Sequence, residues 1–213
     1  MSVVISGTDN FILNADALGT ATAGAFDYDG KVFYVTPQGT ERGVVPGAQF
    51  FRLNSALVGA NVNTAQNLFG VGVTLSASTV YAFEAVTAIS KSAGNTAHTI
   101  GYGFGGTATI NNIMWQWHGY DGTTAISQNT SQNSGYAVAA TNTVINARAN
   151  TATTIHMWAI VRGTVSVNAG GTFIPQYTLS AAPGGAYSTV AGSYFMIYPI
   201  GASGANVNVG TWA

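Results

Sequence analysis

Cysteine is absent from the 213 residues, and charge is nearly so: Lys, Arg, Asp and Glu together make up 6% of the chain. The first absence removes disulfides, thiol nucleophiles and thiolate metal sites, and leaves any robustness to packing. The second is more informative, because a soluble domain ordinarily draws about a quarter of its residues from these four types. Six basic side chains with no cluster among them give no means of neutralising phosphates, so no nucleic-acid partner is expected. No apolar run approaches the ~18 to 20 residues of a spanning helix. The opening residues, MSVVISGTDNF, lack the basic start and apolar core of a signal peptide. An outer-membrane barrel would call for a polar lumen and long extracellular loops, and neither is evident, so no membrane insertion is expected. Heptads and collagen-like repeats are also missing, which excludes a fibre shaft on this chain.

What is there is an alternation of period two. From Gly163 to Ala213, 51 residues pass without one charged side chain, yet Gly, Asn, Ser, Thr and Pro interrupt them every few positions. Such a stretch is neither a membrane span nor an ordinary solvated surface, and it predicts a symmetric oligomer in which copies of the chain cover one another. Tyr81, Phe83, Ala85 and Ile89 alternate with Ala82, Glu84 and Ala88; Ile155, Met157, Ala159, Val161, Val165 and Val167 alternate with His156, Arg162, Thr164 and Ser166. Phe173, Pro175, Tyr177 and Leu179 repeat the pattern, and each run reads as a strand buried on one face. Tyr194 to Ile200 is apolar on both faces, as expected of a strand between a core and a neighbouring subunit.

Asp29-Gly30 and Asp121-Gly122 read as tight hairpin turns, and Pro183-Gly184-Gly185 as a further reversal. Eight to ten strands at this spacing predict an all-β antiparallel jelly-roll sandwich over residues 25–213. Residues 59–69 are read as holding at most one helical turn. Residues 1–24 are small, polar and short of aromatics, and read as an extended N-terminal arm of the kind that docks onto a neighbour.

Several motifs invite chemistry and then fail a physical requirement. Gly101 to Gly106 carries the letters of a dinucleotide fingerprint, but Thr107-Ala108-Thr109-Ile110 follows as a strand where that mechanism needs a helix N-terminus. The glycines are instead expected to let another backbone or an aromatic ring approach. Asp27 and Asp29, two apart, could begin an acid–base pair or a calcium loop, but Asp29 is explained by its turn and a calcium loop needs several further oxygen ligands nearby. His98, His118 and His156 have no metal-ligand spacing, and no Gly-x-Ser-x-Gly elbow is present. No cofactor, metal site or enzymatic activity is expected. Trp115, Trp117 and Tyr120 form the densest aromatic cluster, suited either to stacking on sugar rings or to packing. The following residues, 123–150, read as an exposed loop, and Asn129-Thr130-Ser131 matches the glycosylation acceptor pattern.

Residues 23–37 (AGAFDYDGKVFYVTP) and 42–46 (RGVVP) resemble a segment recurring in tailed-bacteriophage fibre and virion appendage proteins. So, in the same order, do FGVGVTL at 69–75, YAFE at 81–84, GGTAT at 105–109, GGTFIP at 170–175, Pro183, SYF at 193–195 and VGTWA at 209–213. The resemblance implies an exposed virion protein whose jelly roll assembles as a homotrimer, comparable in shape to complement-type and tumour-necrosis-factor-like heads. It implies a place on the particle surface, as a tail fibre or as a head fibre or capsid decoration protein. Attachment to other capsid or tail proteins would run through residues 1–24. It supplies no catalytic residues, and it lapses over 111–150, so no receptor specificity carries over.

Joined to the strand pattern, this places the trimer among the late strands, with Tyr194, Met196, Tyr198 and Ile200 as candidates for core or axis. Association costs about 4 to 15 kcal/mol, and one buried Val- to Phe-sized side chain returns about 1.5 to 3 kcal/mol, so a handful of apolar groups per protomer suffices. A second reading is a host-glycan adhesin that uses Trp115, Trp117 and Tyr120 or the 123–150 segment. A third, a polysaccharide depolymerase, needs converging carboxylates, and after Glu84 only Asp121 remains.

Overall fold

A computed structural model of the chain describes residues 13–123, 131–204 and 206–212. Sixteen strands and no helix occur among them. Three short strands, β1 (Phe26–Tyr28), β2 (Phe33–Val35) and β3 (Gly43–Val45), form a small antiparallel sheet of their own. Then come β4 (Gln49–Arg52), β5 (Leu57–Val58), β6 (Gln66–Asn67) and β7 (Val73–Leu75). The long strands follow: β8 (Thr79–Lys91), β9 (His98–Gly105), β10 (Thr109–Gly122), β11 (Ser131–Ala137), β12 (Thr143–Asn150), β13 (Ile155–Ala169) and β14 (Gly171–Leu179). The two-residue β15 (Ser188–Thr189) and the nine-residue β16 (Tyr194–Ala202) complete the order.

The long strands build an all-β antiparallel sandwich of the jelly-roll type. One sheet runs β11-β10-β13-β8, and its far edge is shared: β16 pairs with the first half of β8 and carries β4, while β15 pairs with the end of β8 and carries β5. The other sheet runs β12-β9-β14, with β6 and β7 side by side on β14. Burial alternates strictly along β8, with Tyr81, Phe83, Ala85 and Ile89 inward, because successive side chains of a strand point to opposite faces. Phe83 of one sheet meets Phe104 and Phe173 of the other at ring-centroid distances of 5.1 and 5.8 Å, so an aromatic cluster joins the layers.

The glycines of β9 serve close approach, as their spacing suggested. A Cβ on Gly103 would lie 2.9 Å from the Ala140 carbonyl oxygen, and the Phe104 amide donates to that same oxygen at 2.7 Å. Asp29-Gly30 is a turn as expected: Gly30 has φ +89°, and the Asp29 carboxylate accepts from the Lys31 and Val32 amides.

Three expectations are corrected. Asp121 and Gly122 are not a hairpin turn but the last residues of β10, paired across to Met157 and His156. Residues 59–69 hold bends and the short β6 and no helical turn; Gly59 donates to the Tyr187 carbonyl and the Gln66 side chain accepts from Ala60. The 123–150 segment is largely β11 and β12, with Ala137, Ile145, Asn146 and Asn150 buried. Its residues 124–130, which include Asn129 and Thr130 of the acceptor pattern, lie outside the described residues, as do residues 1–12 of the arm. The described part of the arm, 13–24, forms no strand; Asp16 and Gly24 donate backbone hydrogen bonds to Tyr28 and Thr36 of the small sheet region.

Candidate functional site

Strand register sorts the singled-out residues onto two faces. In β10 the odd positions Ile113, Trp115, Gly119 and Asp121 are buried, so the even positions, Met114, Gln116, His118 and Tyr120, face outward. Trp115 is therefore core: it is 0% exposed, stands edge-on to Phe104, and its indole donates to the Ala139 carbonyl at 2.9 Å. Trp117 packs on Trp115 at 5.4 Å and covers the space over Gly135, and its indole nitrogen, though buried, has no hydrogen-bond partner. Trp115 is thereby withdrawn from the surface, whereas Trp117 is half-buried and lines a pocket with Gln116, His118 and Tyr136. Tyr120 does face outward, where it meets Trp158 at 5.0 Å with His118 edge-on to it at 5.3 Å. Trp158 was missed in the sequence, although its even parity against Met157 and Ala159 marked it as outward.

The late strand divides in the same way. Phe195 and Ile197 of β16 are buried in the core, and Tyr194, Met196 and Tyr198 between them are half-buried on the outer face. Ile200, beyond the irregularity between Pro199 and Gly201, lines a groove with Asn111, Asn112, Thr164 and Ser166. Of the alternatives core or axis, these four side chains are not protomer core.

Register extends this outer face across the sheet. One row reads Tyr136, Gln116, Arg162, Glu84, Met196 and Phe50; the next reads Ser134, His118, Ile160, Val86, Tyr194 and Arg52. Phe50 stacks on Tyr194 at 5.2 Å and remains 58% exposed. Around the β4 edge the apolar surface continues into a slot of about 300 Å³ lined by Phe51, Phe69, Val71, Val73, Phe195 and Ile197. An outer sheet face in contact with water ordinarily alternates to polar residues; on this one only Glu84 and Arg52 interrupt the run of Val86, Tyr194, Met196, Tyr198 and Phe50.

One polar device crosses that face. The Glu84 carboxylate accepts from the Tyr194 hydroxyl at 2.5 Å and from the Arg162 guanidinium at 2.6 Å. The Tyr194 hydrogen bond first, and Arg162 after it, hold the Glu84 pKa below its ordinary value against the opposing effect of burial. A carboxylate whose pKa is depressed by folding adds stability above its unfolded pKa and loses it as pH falls through the folded one. Stability is therefore expected to decline from about pH 4.5 downward, and Glu84→Gln to flatten that part of the profile in pH-dependent urea unfolding. An unchanged slope would remove the proposed coupling.

Several other polar side chains among the described residues have structural partners. Asp27 pairs with Arg42 at 3.0 Å, and Asp29 closes its turn while accepting from the Tyr34 hydroxyl; burial first, and this hydrogen bond after it, push the Tyr34 pKa up to about 12. His98 is buried between the Thr96 carbonyl and the Tyr187 hydroxyl, and burial lowers its pKa. Asp121 is buried on the inner face beside Arg148 and Asn133, whereas Glu84 faces outward, so these two carboxylates lie on opposite faces of one sheet. No group of three or more acidic or histidine side chains converges among the described residues. No known protein family, curated protein or solved structure matches this chain.

Proposed function

We propose that the protein is a structural component of a tailed-bacteriophage particle, displayed on the virion surface as a homotrimeric appendage without enzymatic activity. The observation that carries this reading is the outward row of β16, Tyr194, Met196 and Tyr198, continued by Phe50 and Val86 on a face where a solvated sheet would be polar. A contiguous apolar patch of that kind marks an association surface. The resemblance of residues 23–37, 42–46, 69–75, 81–84, 105–109 and the closing run from 170 to 213 to segments of phage appendage proteins supports the particle context, with the N-terminal arm as the attachment to capsid or tail proteins. Glu84 and Asp121, on opposite faces of one sheet, do not form the converging pair that a depolymerase uses.

Antibody labelling of intact particles in the electron microscope tests this. Label on the capsid or tail is expected, and particles devoid of the protein would refute it. Deleting residues 1–24 is expected to leave a soluble domain that no longer joins particles; undiminished incorporation would refute the anchoring role.

The outward cluster of Tyr120, Trp158 and His118, with the 73% exposed Tyr136 nearby in β11, favours a second role as a host-glycan adhesin, since exposed aromatic faces stack on sugar rings. A glycan array with Trp158→Ala and Tyr136→Ala variants tests it: binding lost in the variants supports the role, and no binding by the parent protein ends it.

A further inference from the structure

One end of the sandwich is closed by two connections that lock into each other. Residues 92–97 join β8 to β9, and residues 180–187 join β14 to β15. Their backbones meet at glycines: a Cβ on Gly94 would strike the backbone of Gly184, and one on Gly185 the Ala93 carbonyl. Tyr187 ends the second connection, fully buried, and its carbonyl accepts from the Gly59 amide just after β5. The strand that follows it, β15, pairs with Ser90 and Ile89 at the end of β8 and carries β5. Whatever holds Tyr187 therefore holds this edge of the sheet.

His98, the first residue of β9, holds it. Its Nδ1 lies 2.7 Å from the Thr96 carbonyl oxygen, which can only accept, so Nδ1 carries the proton. Nε2 is then a bare lone pair, and it accepts from the Tyr187 hydroxyl at 2.8 Å. The two side chains are 2% and 0% exposed, with their rings edge-on at 5.6 Å. A second proton on the imidazole would turn Nε2 into a donor and deprive the Tyr187 hydroxyl hydrogen of the acceptor the structure gives it. A buried donor without a partner is costly.

The surroundings oppose that second proton. Burial first, and Lys91 at the end of β8 as well, lower the His98 pKa against the opposing Thr96 hydrogen bond. Asp121 of β10, the carboxylate at this end, acts on Tyr187 and is paired with Arg148 of β12. Tyr177 of β14 lies edge-on to Tyr187 at 6.3 Å, and burial pushes its pKa up to about 12.

We propose that His98 is an acid-sensitive latch: neutral, it pins the 180–187 connection and the β5–β15 edge to the ends of β8 and β9; protonated, it releases Tyr187 and lets that edge open while the rest of the sandwich stays folded. A histidine whose folded pKa lies below its unfolded value takes up its proton first in the open state. The latch is thus fully closed above the ordinary value of 6.5 and weakens as pH falls below it, a window distinct from that of Glu84.

Amide hydrogen exchange of the unmodified protein from about pH 7.5 to about pH 5.5, corrected for the intrinsic pH dependence of exchange, tests the latch. The opening equilibrium of residues 92–97, 180–187 and β15 is expected to grow by about tenfold over that range, with the centres of β8 and β13 unchanged. His98→Gln keeps an acceptor for the Tyr187 hydroxyl and cannot be protonated, so it is expected to lose this pH dependence. Opening that does not grow in the parent, grows equally in the variant, or spreads evenly over both sheets would overturn the proposal. Should the glutamine variant not fold, the His98 ring signals in nuclear magnetic resonance of the parent decide. A ring that titrates at its ordinary value with protection at 180–187 unchanged overturns the latch; one that gains its proton only as that protection is lost supports it.

Discussion

Tyr198→Lys is expected to turn the assembly into a folded monomer. In the isolated protomer Tyr198 is only half-buried on the outer face, so a lysine there can extend its ammonium into water, and the fold is retained. In the proposed trimer the contact would lose the tyrosine ring and the same ammonium would be stripped of water, which costs several kcal/mol. A loss of about 3 kcal/mol at each contact corresponds to roughly 100-fold weaker association. Sedimentation velocity of the variant against the parent measures this. A Tyr198→Lys protein that sediments as the parent does would place the association surface elsewhere.

Lys91→Met is expected to produce a large loss of protomer stability. Lys91 ends β8 on its buried face, and its ammonium donates to the carbonyls of Gly94 and Ala152 at 2.7 Å, Thr153 at 3.2 Å and Ala93 at 3.3 Å. One cation thus ties the turn after β8 to the connection between β12 and β13. No carboxylate balances it among the described residues, and burial pushes its pKa below the usual lysine value. Methionine fills similar space but donates nothing. The four carbonyls belong to exposed or half-buried residues, so water replaces part of what the ammonium supplies, and each one left without a donor costs about 1 to 3 kcal/mol. A net loss of about 3 kcal/mol is expected, which for a chain of this size lowers Tm by about 6 to 12 °C. Equilibrium unfolding in urea checks this, and a change under about 1 kcal/mol would mean that the four carbonyls are satisfied in some other way.

The long inner strands were legible because their alternation is a direct record of burial. Residues 79–91 and 155–167 have one covered face each, and the uncharged Tyr194–Ile200 run has apolar side chains on both, as its composition suggested. β11 and β12 were read as loop for a physical reason: each is an edge strand, at the end of its sheet, where few positions are covered and polar residues guard the free edge. Asp121-Gly122 was misread because the use of Asp121 is tertiary. Its carboxylate is held by Arg148 and Asn133, residues distant in sequence, and nothing local distinguishes that from a turn aspartate.

The candidate site was half legible. Parity alone separates Trp115 and Trp117 from Tyr120, since odd and even positions of one strand cannot share a face. Which of the two faces is inward depends on Phe104 from the opposite sheet, which the local sequence does not reveal. Tyr194, Met196 and Tyr198 were selected for being apolar, and the structure sets them outward because Phe195 and Ile197 already fill the core beneath them.

Multi-angle light scattering of the unmodified protein at low micromolar concentration bears most directly on the central claim. The account predicts a single species of three times the 21.8 kDa chain mass. A monodisperse, well-folded monomer under those conditions would contradict it.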